Sequence, residues 1–241
     1  MDGRGRHGPS PLSTASRFVV ARASRRHALL WPALIVVAAI LIFAVTAIWV
    51  GPGPIGLDAK MLQALELVRS PHVTEVMLAI TAVGKGSITI VFTILVAAWL
   101  SIRGHWKEAA FLFVVNLGSA ILTPSFKAMF ARPRPPIEVV TPITNPDSFS
   151  FPSGHALSAM VFYTSLALIA AQLGRPRLKR ALIALAFVMV PLMGITRVYL
   201  GVHYPSDVIG GWTLGSAWVW LAYLGYLSRA QNAPARLNPS S

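Results

Sequence analysis

The chain has 241 residues, of which 55% are hydrophobic and only 12% are charged. The charged share is about half of that in an ordinary soluble domain, so a membrane must receive apolar side chains that one soluble core could not bury. A net charge of +13 would indicate nucleic acid for a soluble protein, but in a membrane protein basic residues hold loops on the cytoplasmic side. No nucleic-acid partner is therefore expected. The absence of cysteine excludes disulfides and thiolate sites.

Apolar runs of near-spanning length recur along the whole chain. A spanning helix needs about 20 residues, and several of the runs reach that length only when their flanks are counted. The sequence therefore predicts an all-α, polytopic membrane protein with six transmembrane helices, or with five if the second run is re-entrant. The six runs are Leu29–Val50, residues 87–101 with an extension back through 72–86, and residues 109–126, 156–173, 181–195 and 208–227.

The segments outside these runs are short. Residues 1–28, rich in arginine, serine, glycine and proline, predict a disordered basic cytoplasmic tail, and residues 229–241 predict a second tail. The stretch 29–228 between them is predicted to be a single membrane domain. Residues 57–68, which follow a Gly-Pro-Gly-Pro turn, predict a short amphipathic helix lying at the membrane surface.

The distribution of basic residues predicts the orientation. Of the 21 lysines and arginines, 14 lie in the two tails and in the loops after the second and fourth runs. With six spans these four segments share one side, which is then cytoplasmic by the positive-inside rule. Lys127, Arg134 and Arg197 fall on the other side, where that rule does not account for them. We expect a multi-pass protein of the inner (plasma) membrane that uses these cations on its non-cytoplasmic face.

The block Pro152-Ser153-Gly154-His155 precedes the fourth run. Serine is a good N-cap, and glycine lets a ligand approach the backbone closely. The free N–H groups and partial positive charge of a helix N-terminus suit a phosphate, which His155 in the first turn would also face. A capped helix start with an interfacial histidine is the plainer interpretation, and this block alone does not separate the two.

A second block, Arg197-x5-His203-x3-Asp207, spans the start of the last run. Asp207 lies in the first turn of the predicted helix, within reach of His203. An imidazole whose Nδ1–H is held by a carboxylate exposes Nε2 with raised basicity, as a histidine nucleophile or base requires. The alternative is that Asp207 only caps its helix, because acidic residues are common in a first turn.

The third block, Lys127-x6-Arg134-Pro135, closes the third run. A lysine at a helix end can simply reach the interface along its own stem, and the prolines hold the following chain extended. Arginine makes forked contacts to phosphate oxygens, while lysine supplies a point charge. Together with Arg197, these cations balance the two or more negative charges of a phosphate ester.

The three blocks, in this order and with these spacings, resemble the signature of the type 2 phosphatidic acid phosphatase family, also called lipid phosphate phosphatases. The family pattern is Lys-x6-Arg-Pro, Pro-Ser-Gly-His and Ser-Arg-x5-His-x3-Asp. The one departure is Thr196 in place of the serine, which keeps a hydroxyl. The resemblance covers about residues 57–228, which it implies to be the catalytic core. Soluble vanadium haloperoxidases carry the same blocks, but the apolar runs favour the membrane phosphatase.

The resemblance implies a role for each matching residue. His203 attacks phosphorus and becomes a phosphohistidine, Asp207 orients and charge-stabilises it, and His155 protonates the leaving group and then activates water. No metal and no other cofactor are implied. The phosphoryl oxygens are bound by Lys127, Arg134, Ser153, Gly154 and Arg197.

A phosphate site at a bilayer surface predicts a lipid phosphate as the substrate. Undecaprenyl pyrophosphate is favoured by the non-cytoplasmic orientation and the compact chain, and phosphatidic acid, phosphatidylglycerol phosphate and a phosphorylated glycolipid are the alternatives. A non-catalytic lipid-binding relative would lack a histidine or arginine of the blocks, and here the set is intact. A transporter would carry polar residues at mid-depth. The main ones, predicted to serve helix packing instead, are Asn116, Ser119 and Thr123.

Overall fold

The structure, a computed structural model, describes residues 14–51 and 56–232. These residues form eight α-helices and no strand, so the predicted all-α class is confirmed for the described part of the chain. The helices are α1 (Thr14–Val50), α2 (Gly56–Leu67), α3 (Pro71–Val83), α4 (Gly86–Ile102), α5 (Trp106–Phe130), α6 (Gly154–Gln172), α7 (Pro176–Tyr199) and α8 (Pro205–Asn232).

Several helices of the described chain are apolar and long enough to cross a membrane. Four qualify singly, namely the Leu29–Val50 part of α1 together with α5, α6 and α7. Helices α3 and α4 qualify only as a pair, which brings the number to five at most. Helix α8 has 28 residues but is not in this set, since glycine, serine, threonine and tryptophan dilute its apolar character. The chain is thus a membrane protein with four to five strongly apolar candidate spans among the described residues, and this number does not confirm the six predicted.

The second predicted span is divided into two helices. Helices α3 and α4 are bent by 47° at the break between them. Gly84 ends α3, and Lys85 is extended before α4 begins at Gly86. Two glycines within three residues lower the helix propensity locally, which explains why the break falls here. The break also borders His155, because a Cβ atom placed on Gly84 would stand 3.2 Å from the imidazole ring.

Helix α1 begins earlier than the composition indicates. It starts at Thr14, inside the 1–28 segment predicted to be a disordered tail. Alanine and arginine are strong helix formers, and the long apolar run that follows provides a helix onto which these residues extend. At the other end, residues 229–232 continue α8. The rest of the two predicted tails, residues 1–13 and 233–241, lies outside the described residues.

Helix α2 matches the predicted surface helix in position and in its two faces. Leu57 and Met61, one turn apart, are exposed apolar side chains. Asp58 and Leu62, which follow them directly in sequence, are buried against the rest of the protein. A buried carboxylate on this short helix requires a partner of opposite charge, which the site below supplies.

Helix α6 is central to the bundle. It packs against α5, α7 and α8, while α1 packs along α8. Two glycines of α8 allow this helix to approach α6 closely. A Cβ atom placed on Gly211 would stand 2.5 Å from the Ser153 carbonyl oxygen, and one placed on Gly215 would stand 2.9 Å from the Leu157 carbonyl oxygen. The outer side of the bundle is apolar, as at Phe187, which is 83% exposed. Such side chains are suited to lipid contact.

Candidate active site

The residues of the three blocks meet at one end of the bundle, where α5 and α7 end and α6 and α8 begin. The segment between α5 and α6 folds over this end. Its Ser150 N–H donates to the Arg132 carbonyl oxygen at 2.8 Å, and its Ile143 N–H donates to that of Leu200 at 3.0 Å. The first turn of α8 is joined to the start of α6 by the Ser153 N–H, which donates to the Asp207 carbonyl oxygen at 2.9 Å.

A cavity of about 490 Å³ opens at this end. Six of the eight residues singled out in the sequence line it. The other two, Ser153 and Asp207, are fully buried directly behind that lining. The structure therefore gathers all eight around one space, although not all of them face it. The six that do are Lys127, Arg134, Gly154, His155, Arg197 and His203.

The start of α6 is open to an anion. Ser153 is the N-cap residue, but its side chain makes no capping bond, and its Oγ is buried with no partner among the described residues. The first N–H groups of a helix have no intrahelical partner, so they remain available to a ligand. Gly154 is required for packing, because a Cβ atom there would stand 2.8 Å from the Thr123 Cγ2.

His203 and Asp207 form the pair expected from their spacing. The His203 Nδ1 lies 3.3 Å from the Asp207 Oδ2, and both side chains are buried. The other ring nitrogen, Nε2, lies 3.4 Å from the Arg134 Nη1. Burial lowers the pKa of His203 below its usual value, while the hydrogen bond and charge of Asp207 act in the opposite direction. The lowered pKa favours the neutral imidazole, which is the form that a nucleophile requires.

Asp207 is held by a full set of donors. The Tyr204 N–H donates to its Oδ2 at 2.9 Å, and the Ser150 hydroxyl donates to the same oxygen. Arg132 Nη1 donates to Oδ1 at 2.5 Å. With His203, four groups contact a carboxylate that is 0% exposed. A carboxylate fixed in this way keeps its partner imidazole in one orientation and one tautomer.

Arg134 is anchored by the backbone that surrounds the cavity. Its Nε donates to the Ser148 carbonyl oxygen at 2.6 Å, and its Nη1 donates to that of Val202 at 2.5 Å. Burial lowers the pKa of this guanidinium, and Asp207 opposes that effect. Arginine remains charged at neutral pH all the same. A rigid cation is therefore placed beside the His203 Nε2.

Lys127 and Arg197 complete a group of cations without acidic partners. Lys127 donates to the Phe149 carbonyl oxygen, and the Arg197 Nη1 donates to the Thr81 hydroxyl at 2.8 Å. The Arg197 Nε has no hydrogen-bond partner among the described residues. Every ion pair found in that part of the chain involves other basic residues, so neither these two nor Arg134 faces a carboxylate at contact distance. Buried cations of this kind require an anion from outside the protein.

His155 lies within the field of all these groups. Arg197, His203, Lys127 and Arg134 each act on it electrostatically, so it shares the cavity with the proposed nucleophile and the cations. Across residues 14–51 and 56–232, no cluster of three or more histidine or acidic side chains is arranged to hold a metal ion. Lys127, Arg134 and Arg197 supply positive charge to the lining of the cavity.

Several residues of the site were not singled out in the sequence. Arg132 and Ser150 contact Asp207, Asp58 contacts Arg132, and Thr81 contacts Arg197. Arg132 did carry a signal, since it is a cation on the side that the sequence predicts to be non-cytoplasmic, where the positive-inside rule does not explain it. Asp58 carried a weaker one, as an acidic residue on a short apolar helix. Nothing in the local sequence marks the serine or the threonine.

Comparison with known proteins identifies the family. The chain matches the PAP2 superfamily over residues 108–230. It is 34% identical over 161 residues to phosphatidylglycerophosphatase B of Bacillus subtilis, and the aligned region covers 66% of this chain and 77% of that relative. It is 26% identical over 194 residues to undecaprenyl-diphosphatase of Sulfolobus acidocaldarius, which covers 77% of this chain and 86% of that one.

A solved structure shares the fold. The crystal structure of a transmembrane PAP2-type phosphatidylglycerolphosphate phosphatase from Bacillus subtilis superposes with a TM-score of 0.72 at 28% identity. The match covers 84% of this chain and 98% of that one. The resemblance inferred from the three blocks is therefore confirmed. The chain belongs to the PAP2 superfamily, and it is a membrane phosphatase of the type 2 phosphatidic acid phosphatase family.

Proposed function

We propose that the protein hydrolyses the phosphate monoester or pyrophosphate of a membrane lipid through a phosphohistidine intermediate. The observation that carries this proposal is that one cavity holds three cations without a carboxylate partner and an imidazole that contacts a buried carboxylate. The cations Lys127, Arg134 and Arg197 bind the phosphoryl oxygens, together with the N–H groups at the start of α6. Ser153 and Gly154 shape that helix start.

The first chemical step transfers the phosphoryl group to the enzyme. The His203 Nε2 attacks phosphorus, and the bond from phosphorus to the leaving oxygen breaks. His155 gives its proton to that oxygen, so that an alcohol or a lipid phosphate departs. Asp207 stabilises the positive charge of the phosphorylated imidazole through Nδ1–H.

The second step returns the enzyme to its starting state. His155, now neutral, takes a proton from water as the water oxygen attacks phosphorus. The bond from phosphorus to the His203 Nε2 breaks, and inorganic phosphate is released. In both steps the equatorial oxygens carry negative charge, which the fixed cations stabilise without having to reorganise.

The cavity also suits the lipid part of such a substrate. Below the cations it continues between α4 and α5, where its lining is mostly apolar. Ile90 and Ile94 of α4 and Phe113 and Leu117 of α5 line this part, and all four side chains are about half exposed. A hydrocarbon chain can therefore lie in this groove while its phosphate reaches the cations.

Undecaprenyl pyrophosphate and phosphatidylglycerol phosphate are the two substrates we put first. Of the two relatives described above, the one from Sulfolobus acidocaldarius is named as an undecaprenyl-diphosphatase, and the one from Bacillus subtilis as a phosphatidylglycerophosphatase. Polyprenyl pyrophosphate remains the favoured substrate if the site faces outward, and phosphatidic acid and a phosphorylated glycolipid are the other candidates. All four present a terminal phosphate to the cations and an apolar chain to the groove.

A panel of lipid phosphates tests the activity. The purified protein, in detergent with a chelator present, is given undecaprenyl pyrophosphate, phosphatidylglycerol phosphate, phosphatidic acid and a phosphorylated glycolipid, and released phosphate is measured. We expect hydrolysis of at least one, at a rate that the chelator leaves unchanged. Lipid binding or transbilayer flux with no phosphate released from any of the four would favour a non-catalytic binding or transport relative.

We further propose six spans, with the bent pair α3–α4 as the second and α8 as the sixth. An even number places both tails and the basic loops on the cytoplasmic side and the cavity on the non-cytoplasmic side of the inner membrane. The exposed face of α2 at Leu57 and Met61 supports its lying at that outer surface. On this reading the membrane phosphatase domain is 29–228, with its catalytic core in about 57–228.

Cysteine labelling tests this topology cleanly, because the chain has no cysteine of its own. Asn145→Cys lies in the loop over the cavity, and Arg177→Cys lies at the start of α7; both positions are exposed. In intact cells, a membrane-impermeant maleimide is expected to label the first variant and to label the second only after the membrane is opened. Labelling of Arg177→Cys alone in intact cells would contradict the proposed orientation.

A further inference from the structure

Behind the cavity, a buried ion network joins the short helix α2 to the catalytic carboxylate. Arg132 is 1% exposed and is not part of the cavity lining. Its Nη1 donates to the Asp207 Oδ1 at 2.5 Å, and its Nη2 donates to the Asp58 Oδ2 of α2 at 3.1 Å. Its guanidinium also lies over the Tyr204 ring, 4.1 Å from the ring centre. One cation is therefore shared between two buried acids.

Asp58 is held by Ser206 as well as by Arg132. Its Oδ1 accepts the Ser206 N–H at 3.0 Å, and its Oδ2 accepts the Ser206 hydroxyl at 2.5 Å. That hydroxyl also accepts a bond from the Arg132 Nη1 at 2.9 Å. Ser206 directly precedes Asp207, so the network holds both the side chain of the catalytic carboxylate and the backbone that carries it.

We propose that Asp58 and Arg132 are positioning residues of the phosphatase, which set the orientation and the effective negative charge of Asp207 and thereby hold His203 for attack. This inference rests on the proposed function, in which His203 is the nucleophile. Arg132 attracts the Asp207 carboxylate at Oδ1, whereas His203 contacts Oδ2. Asp58 also attracts Arg132, so the positive charge of Arg132 neutralises less of the negative charge of Asp207.

A purely structural tether for α2 is a poorer account of this network. Leu62 is fully buried in the core, and it already anchors the helix. Glu66, also on α2, accepts the Thr141 N–H at 2.9 Å and pairs with Arg69 at 3.4 Å near the surface. Burying three charged groups costs solvation that an apolar contact would avoid. The contact of Arg132 with Asp207 explains these buried charges, because it orients a carboxylate that takes part in the reaction.

The network predicts two pH effects of opposite sign. Charged groups on several elements surround His203. They are Lys127 on α5, Arg132 and Arg134 on the loop after α5, Arg197 on α7, Asp207 on α8 and, through Arg132, Asp58 on α2. His155 on α6 is the titratable neighbour. Arg132→Met removes a positive charge, which favours the imidazolium form of His203. Asp58→Asn removes a negative charge, which disfavours it.

Attack requires the neutral imidazole, so these effects appear in the acid limb of the plot of kcat/KM against pH. That plot reports the pKa values of groups in the free enzyme. Arg132→Met is expected to move that limb to higher pH by about one unit, and Asp58→Asn to move it to lower pH. Both variants are expected to lower kcat, by about 10- to 100-fold for Arg132→Met, with KM little changed since neither residue lines the cavity. Arg132→Lys, which keeps the charge, restores the wild-type limb.

The experiment compares full pH profiles of these variants in the purified, full-length protein, with the substrate most active in the lipid panel. Glu66→Gln is the matched control on α2, and its profile is expected to match the wild type. If Arg132→Met does not fold, Asp58→Asn and Arg132→Lys still carry the comparison. Unmoved acid limbs, or limbs that move in the same direction for both neutralising variants, would overturn the inference. Full turnover by His203→Ala would instead overturn the proposed function beneath it.

Discussion

His203→Ala is expected to reduce lipid phosphate hydrolysis by about 10⁴- to 10⁶-fold, because the group that attacks phosphorus is removed. Substrate affinity should change much less, since Lys127, Arg134 and Arg197 all remain. The measurement is phosphate released per mole of protein that elutes as a single species in detergent. A variant with lost turnover but retained lipid binding separates the loss of the nucleophile from a loss of folding.

Arg177→Ala is the control for that experiment. Arg177 is exposed at the start of α7, while the cavity lies where α7 ends, so its removal should leave turnover unchanged. A similar loss in both variants would point to general damage to the protein. Full turnover by His203→Ala would exclude this imidazole as the nucleophile.

His155→Ala is expected to lower hydrolysis of a lipid phosphate by about 10²- to 10⁴-fold, the usual contribution of a general acid and base. An aryl phosphate such as p-nitrophenyl phosphate separates the two roles, because its leaving group departs without a proton. Phosphorylation of His203 then proceeds, but the activation of water does not. The variant should release one nitrophenolate per protein in a fast burst and continue slowly.

The control for the burst is His72→Ala, since His72 is an exposed histidine at the start of α3. It should behave as the wild type with both substrates. A His155→Ala variant that hydrolyses the aryl and lipid phosphates at equally reduced rates, with no burst, would show that His155 does not act on the second step. It would then contribute to binding or packing alone.

The parts of the site that the sequence predicts are those set by local geometry. His203 and Asp207 are four residues apart at a helix start, so their contact follows from the spacing, and the structure places them 3.3 Å apart. Ser153 and Gly154 lie at the start of α6 for the same kind of reason. Helix ends are marked by capping residues, prolines and the limits of apolar runs. The roles assigned to these residues remain proposals.

The parts that the sequence did not predict depend on tertiary contacts. Asp58 and Arg132 are 74 residues apart, and only the packing of α2 against the site brings them together. The sequence predicts one continuous run where the structure has α3, a break and α4, because both halves are apolar and hydropathy does not report a bend. Helix α8 shows the converse, since its position was predicted although its apolar character is weak.

The most direct test of the account is to trap the intermediate. The protein is mixed briefly with substrate labelled with ³²P in the transferred phosphate, quenched in alkali, in which phosphohistidine is stable and acyl phosphates are not, and digested for peptide mapping. Label is expected on His203, to accumulate in His155→Ala, and to be absent from His203→Ala. Turnover with no labelled protein at any time, or label on another residue in the wild type, would contradict the phosphohistidine mechanism proposed for this site.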